Sequence, residues 1–156
     1  MEDTYKIHLT LKSGEQKEFQ ILDTAGEEDY QNMLDNWIDS AIGFVLVFAI
    51  NDLESFEYIK TIWARIKRHE AEQKPTLIIG NKCDLGIKRK VTMQHAEEYS
   101  KSIKSKYFET SALEDNNGNV RKAFEEIANI IANTTGANSG DKPCCPCCVI
   151  DRKSVV

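Results

Sequence analysis

From Tyr5 the apolar side chains alternate as Tyr5, Ile7, Leu9 and Leu11, the period of two that places every second residue of a strand on one face. A polar turn at Lys12-Ser13-Gly14-Glu15 follows, and a second extended run passes through Phe19 to Leu22, so the pattern predicts an antiparallel hairpin. Ile42 to Ile50 and Thr76 to Gly80 are continuously apolar instead, as expected of strands covered on both faces in a parallel sheet. Between and after them, Phe56, Ile59, Trp63, Ile66 and then Val120, Phe124, Ile127, Ile131 recur at spacings of three and four, the stripe of a helix packed on one side. Thr92 is placed to cap a further helix through Ala96, Tyr99 and Ile103, and Tyr107-Phe108 starts a short strand ending at Thr110-Ser111-Ala112. Strands alternating with helices predict an α/β fold.

From about Thr134 this periodicity gives way to Asn, Gly, Ser, Pro and Cys. That composition predicts one folded unit over residues 1–133 and a flexible cysteine-rich tail over 134–156. A chain of 156 residues with 41% hydrophobic content is large enough for a single core. Its net charge of −5 provides no basic field for nucleic acid. The longest apolar run, Ile42 to Ile50, falls well short of the roughly 18 residues of a membrane span. Cys83 stands apart from Cys144, Cys145, Cys147 and Cys148, a distribution unlike a secreted disulfide framework, so a cytoplasmic setting is expected.

Asn81-Lys82-Cys83-Asp84 lies directly after a predicted buried strand, at the kind of strand end where open α/β sheets bind ligands. Alone, the tetrapeptide could be a polar turn. Its side chains nevertheless suit guanine: a carboxylate such as Asp84 accepts from both the ring N–H and the exocyclic amine, Asn81 reaches the ring nitrogen on the other side, and the Lys82 stem can lie over the purine face.

Together with Asp23-Thr24-Ala25-Gly26 and Glu109-Thr110-Ser111-Ala112, this motif is similar in order and spacing to three nucleotide-binding motifs of Ras-family GTPases. Gly43 to Phe48 leading to Ser55-Phe56 resembles the family's central strand and next helix, and Glu2-Asp3-Thr4-Tyr5 the end of its effector loop. The resemblance covers about Glu2 to Ala132. It implies a small G-protein sheet with flanking helices, GTP or GDP as ligand, and Mg²⁺ held near Asp23 through a water. It further implies that Gly26 brings its N–H to a terminal phosphate, that Ala112 offers its N–H to the guanine oxygen, and that Ser111 braces the loop. Leu113 stands where the family usually has Lys, which would loosen the fit over the base. Glu2, Asp3 and Tyr5 would meet effectors, and 27–37 would be the segment that orders around a γ-phosphate.

Two departures limit what the resemblance implies. Glu27 stands where the family has a Gln that orients the attacking water; a carboxylate cannot donate that bond and places negative charge beside a developing phosphoryl charge, so slow hydrolysis is expected. Gly-x-x-x-x-Gly-Lys-Ser/Thr occurs nowhere in the chain, so the sequence is expected to lack the family's first strand, phosphate loop and first helix. By resemblance that strand lies between the one ending at Asp23 and the one at Ile42 to Ile50, and its loss is expected to leave facing unpaired edges and a hole in the core.

Cys144-Cys145-Pro146-Cys147-Cys148 resembles the lipidated tails of family members that work on the cytoplasmic face of the plasma membrane. Cys148 is too far from the end for the usual prenylation box, which favours palmitoylation; free thiols are the plainer alternative, and the spacing does not suit zinc. Ser154-Val155-Val156 could add to a PDZ-type groove. Trp37, Trp63 and Cys83 are expected to be packing residues. The leading expectation is a Ras-like guanine-nucleotide switch with effector, exchange-factor and GTPase-activating partners; the alternative is a non-catalytic interaction module with no nucleotide cycle.

Overall fold

The computed structural model describes residues 2–24, 31–113, 118–134 and 144–151, and for 2, 3, 24, 31, 32 and 144–151 it describes the backbone alone. The predicted hairpin is formed by β1 (Glu2–Thr10) and β2 (Gln16–Thr24), paired from Glu2 opposite Thr24 to Thr10 opposite Gln16. Its turn is closed by Leu11 N–H donating to the Glu15 carbonyl at 2.8 Å, and Gly14 takes φ +85°, a conformation that needs no Cβ. The apolar runs become β3 (Gly43–Ala49) and β4 (Thr76–Asn81), and β5 (Lys106–Glu109) forms the far edge.

The helices follow the three-and-four spacing. In α2 (Leu53–Arg68) Asp52 is the N-cap, its carboxylate accepting from the Glu54 and Ser55 N–H groups. Thr92 caps α3 (Met93–Ser102) as predicted, accepting from the His95 N–H at 3.1 Å. The last helix is α4 (Asn119–Thr134). A helix that the apolar pattern did not mark, α1 (Gln31–Ser40), occupies most of the segment expected to be a switch. Leu34, Trp37 and Ile38 are all buried there, at the i, i+3, i+4 positions of an inward face, which agrees with the packing role expected for Trp37.

The sheet order is β1-β2-β6-β3-β4-β5, with β1 antiparallel and the other strands parallel. Helices α1, α2 and α3 cover one face, where Phe44, Leu46 and Phe48 meet Ile38, Phe56, Ile59 and Ala96. On the other face α4 packs Ala123, Ile127 and Ile131 over Leu9, Phe19, Val45 and Leu77.

The sixth strand, β6 (Cys144–Asp151), corrects two expectations. Those residues do not belong to an irregular tail, and β2 and β3 do not face each other across a gap. Cys147 to Ile150 pair with Ile21 to Thr24 on one side, and Cys147 to Asp151 pair with Gly43 to Val47 on the other. The composition concealed this strand because cysteine and proline are poor strand signals. Pro146 is accommodated at an irregularity: the step from Phe19 to Ile21 is matched by the longer step from Cys144 to Cys147, which places the residue lacking an N–H outside the doubly paired stretch.

Candidate functional site

The carboxyl ends of β4 and β5 bring two of the three motifs together. Thr110 N–H donates to the Gly80 carbonyl at 2.9 Å, continuing the ladder one step past β5, and Cys83 N–H donates to the Thr110 carbonyl at 3.1 Å. The chain turns away from the sheet at Lys82, whose φ of +64° lies in the left-handed region, and enters a short 3-10 segment, Cys83–Lys88. Gly80 is required for a spatial reason: a Cβ there would stand 2.3 Å from Tyr107 Oη and 3.1 Å from Ile50 Cγ2.

Within this junction the side chains orient one another. Asn81 Oδ1 accepts from Thr110 Oγ1 at 3.2 Å and from the Ala112 N–H at 3.1 Å. Ser111 Oγ donates to Asp84 Oδ1 at 2.6 Å while Ser111 itself is buried. Asn81 therefore commits its carbonyl oxygen inside the protein and leaves its amide N–H group to meet an acceptor outside. Asp84 is exposed with one oxygen anchored. Its remaining lone pairs can accept two further N–H groups. An acceptor anchored by Ser111 and an amide N–H group, with Ala112 exposed in the same junction, are polar groups of the kind that hold a purine base. Ala112 N–H is held by Asn81 in this structure, so a guanine oxygen would have to share or replace that acceptor. Leu113 is 83% exposed, an apolar surface at the rim where the resemblance implies an ammonium.

Beneath the loops lies a contact that the motifs do not announce. Arg89 donates from Nη1 and Nη2 to the two Glu109 oxygens at 2.7 and 2.8 Å, and Tyr107 Oη donates to the same carboxylate at 2.8 Å. The Arg89 guanidinium, opposed by burial and helped by Tyr107, holds Glu109 below its ordinary pKa. Burial, with the neighbouring carboxylate, pushes the Tyr107 hydroxyl far up. The sequence offered only a weak signal for this clamp, a lone Arg after the first motif and a Glu opening the last. Cys83 packs against the core, and burial, then Glu109 and Asp84, push its thiol up, so it remains a protonated packing residue, in accord with expectation.

The other expected site residues lie elsewhere. Asp23 sits near the carboxyl end of β2, separated from β4 by β6 and β3. Glu2 and Asp3 pair with Thr24 and Asp23 on the edge strand β1, where Tyr5 is half exposed. Gly26 and Glu27, and Ser154 to Val156, fall outside the described residues. Cys144, Cys145, Cys147 and Cys148 are backbone positions of β6. Among the described residues no cluster of three His, Cys, Asp or Glu could hold a metal. Asp23 offers a carboxylate, a hard oxygen donor of the kind Mg²⁺ accepts. No helix among those residues is long and apolar enough to cross a membrane.

A family model described as the Ras family matches residues 1–133. The chain is 35% identical over 138 residues to Ras-related protein Rab-13 of Rattus norvegicus, an overlap covering 88% of this chain and 67% of that protein. It is 33% identical over 138 residues to Ras-related protein Rab-3 of Caenorhabditis elegans, covering 88% and 62% respectively. It thus spans roughly two thirds of the length of these relatives. With the three motifs in order and two of them joined at one end of the sheet, the chain belongs to the Ras family of small GTPases.

Proposed function

We propose that the protein is a guanine-nucleotide-binding switch in which Asn81, Lys82, Asp84, Ser111, Ala112 and Leu113 surround the base. The observation that carries this proposal is the cross-linking of two loops at the ends of β4 and β5, by Ser111 on Asp84 and Ala112 on Asn81, which orders both side chains before any ligand arrives. Asp23 would hold Mg²⁺ through water beside the phosphates, and Gly26 would lend its N–H to the terminal one. The metal's contribution is to neutralise phosphate charge. Glu27, unable to donate to an attacking water, makes hydrolysis slow in any GTP-bound form.

Partners follow the same division of the surface. Glu2, Asp3 and Tyr5 lie on edge strand β1, a natural contact for effectors, and exchange factors and GTPase-activating proteins would act around 25–37. The cysteines of 144–148 are the proposed acylation sites for attachment at the cytoplasmic face of the plasma membrane, and Ser154-Val156 a PDZ-type ligand.

One observation favours a second function. The sequence contains no Gly-x-x-x-x-Gly-Lys-Ser/Thr, so the amide-lined cradle and Lys that take most of the phosphate charge are not supplied by these residues. An interaction module without a nucleotide cycle is the consequence if base contacts alone bind too weakly. Calorimetric titration of the 156-residue chain with GDP and with ADP, in Mg²⁺, separates the two. Binding of GDP but not ADP, lost in Asp84→Ala, is the expected result for the switch; no heat with either nucleotide establishes the module.

A further inference from the structure

Helix α1 does not hold its own carboxyl end. It contains no Lys, Arg or His, and Asp39 stands in its last turn, a negative charge where the helix already carries negative partial charge. Leu34, Trp37 and Ile38 pack inward. Asp35 and Asp39, one turn apart, both meet the end of α2 instead.

The cations come from α2 and the loop after it. Arg65 Nε donates to Asp35 Oδ1 at 2.6 Å, and Lys74 Nζ donates to the Ile38 and Asp39 carbonyls at 2.9 and 3.0 Å, capping α1 from outside. Between them stands His69, the C-cap of α2, with Nε2 2.9 Å from Asp35 Oδ1 and Nδ1 2.9 Å from Asp39 Oδ1. Tyr58 of α2 also acts on this cluster, through Arg65. A neutral imidazole has one N–H and one lone pair, so it could donate to one of these carboxylates but would turn a lone pair on the other. Only the imidazolium has a donor for each. Of the three cationic residue types gathered here, histidine alone ordinarily changes charge near neutral pH.

We propose that His69 is a proton-operated latch between α2 and the carboxyl end of α1: the protonated ring bridges Asp35 and Asp39 and docks the helix, and loss of one proton loosens its last turn. Deprotonation leaves one aspartate facing a lone pair, at a helix end that already disfavours negative charge. Arg65 and Lys74 keep α1 attached, so the device frees a turn and leaves the sheet intact. Asp39 first, then Asp35, raise the affinity of the ring for its proton, so docking is strongest on the acid side and weakens as pH rises through that raised value. Under the proposed function α1 forms most of the segment that responds to the γ-phosphate, and the proton then acts on the same element as the nucleotide. Only this consequence rests on that reading; the latch itself needs no ligand.

The test is amide hydrogen exchange of the full chain without nucleotide, expressed as protection relative to the unfolded chain from about pH 5.5 to 8.5. Its failure is thereby distinct from a failure to bind GDP. The readout is the Ala41 N–H, which donates to the Trp37 carbonyl at 2.9 Å across the end of α1, compared with the Phe44 N–H, which donates to the Pro75 carbonyl at 2.8 Å in the core. Ala41 is expected to be less protected than Phe44 throughout, and to lose about threefold in protection from the acid to the alkaline end, the scale of an exposed ion pair. His69→Gln should flatten that profile. Asp39→Asn, whose amide can donate to a neutral ring, should flatten most of it without removing the imidazole. An Ala41 profile identical in wild type and His69→Gln overturns the proposal. So does Ala41 protection equal to that of Phe44 at every pH, because α1 would then open only with the whole protein.

Discussion

Arg89 and Glu109 stand twenty residues apart in the chain and meet through two parallel hydrogen bonds, 2.7 and 2.8 Å long, beneath the two loops that present Asn81 and Asp84. The pair ties the segment after the first base motif to the start of the last. Its planar fork also fixes their relative angle, which a single-point ammonium would not. Arg89→Met is expected to leave a partly buried carboxylate with only Tyr107 as partner and to lower stability by about 1–3 kcal/mol in denaturant titration. Arg89→Lys should recover only part of this. The loss should grow as Glu109 ionises: its folded pKa is depressed, so the clamp contributes above the ordinary carboxylate range and is lost as pH falls through the lower folded value.

His69 offers the opposite pH dependence on the other side of the molecule. At the end of α2 its Nδ1 lies 2.9 Å from Asp39 and its Nε2 2.9 Å from Asp35, which also accepts from Arg65 Nε at 2.6 Å. Asp39 first, then Asp35, raise the imidazole pKa. A raised folded value stabilises the protein fully below the unfolded pKa of about 6.5, and that stabilisation disappears as pH rises through the folded value. Thermal midpoints across this window should therefore fall for the wild type relative to His69→Gln. Equal pH profiles for the two proteins would show that His69 stays neutral between its two aspartates.

Most of the sheet was legible in the sequence because its signal is burial. Continuous apolarity marked β3 and β4, alternation marked the hairpin, and the Thr92 cap announced α3, each a local pattern with one physical cause. The loops at the ends of β4 and β5 stood out for a different reason, since Asn81, Asp84, Ser111 and Ala112 are short and chemically specific. Three features escaped. Helix α1 rests on only a few inward residues in a polar stretch. The Arg89–Glu109 clamp joins residues whose proximity is set by the fold and by nothing local. Strand β6 is held by backbone pairing on both sides, which asks little of side-chain type, so a run of Cys and Pro read as irregular chain could still enter the sheet.

Under the proposed function, the Asp84–Ser111 contact allows recognition of the base to be tested apart from stability of the fold. Ser111→Ala removes the donor that anchors Asp84 Oδ1 but leaves the loop backbone bonds of Cys83 and Thr110 in place. A change in thermal midpoint of no more than a few degrees is expected from the loss of one hydrogen bond of about 0.5–1.5 kcal/mol. Any GDP affinity measured for the wild type should fall about tenfold, because a carboxylate that must be ordered on binding gives up part of its interaction energy. Equal affinities would mean that Asp84 needs no orienting partner.

Gly80 and Tyr107 form a pair whose coupling can be measured directly. Alanine at position 80 would bring a Cβ to 2.3 Å from the Tyr107 hydroxyl, and that hydroxyl is itself fixed on Glu109, so it cannot swing aside without disturbing the clamp. Gly80→Ala alone is expected to cost about 1–3 kcal/mol, the usual penalty of overpacking. Tyr107→Phe alone should cost less, about 0.5–1.5 kcal/mol, because Glu109 retains both bonds from Arg89. Combined, the two changes should cost less than their sum. Phenylalanine removes the atom closest to the new methyl group, although the ring carbon at 3.1 Å keeps the rescue partial. Strict additivity in the double-mutant cycle would mean that the strand shifts to admit the methyl group. In that event Asn81, the next residue in the chain, would move with it, and its hydrogen bonds to Thr110 and Ala112 would report the shift in amide hydrogen exchange.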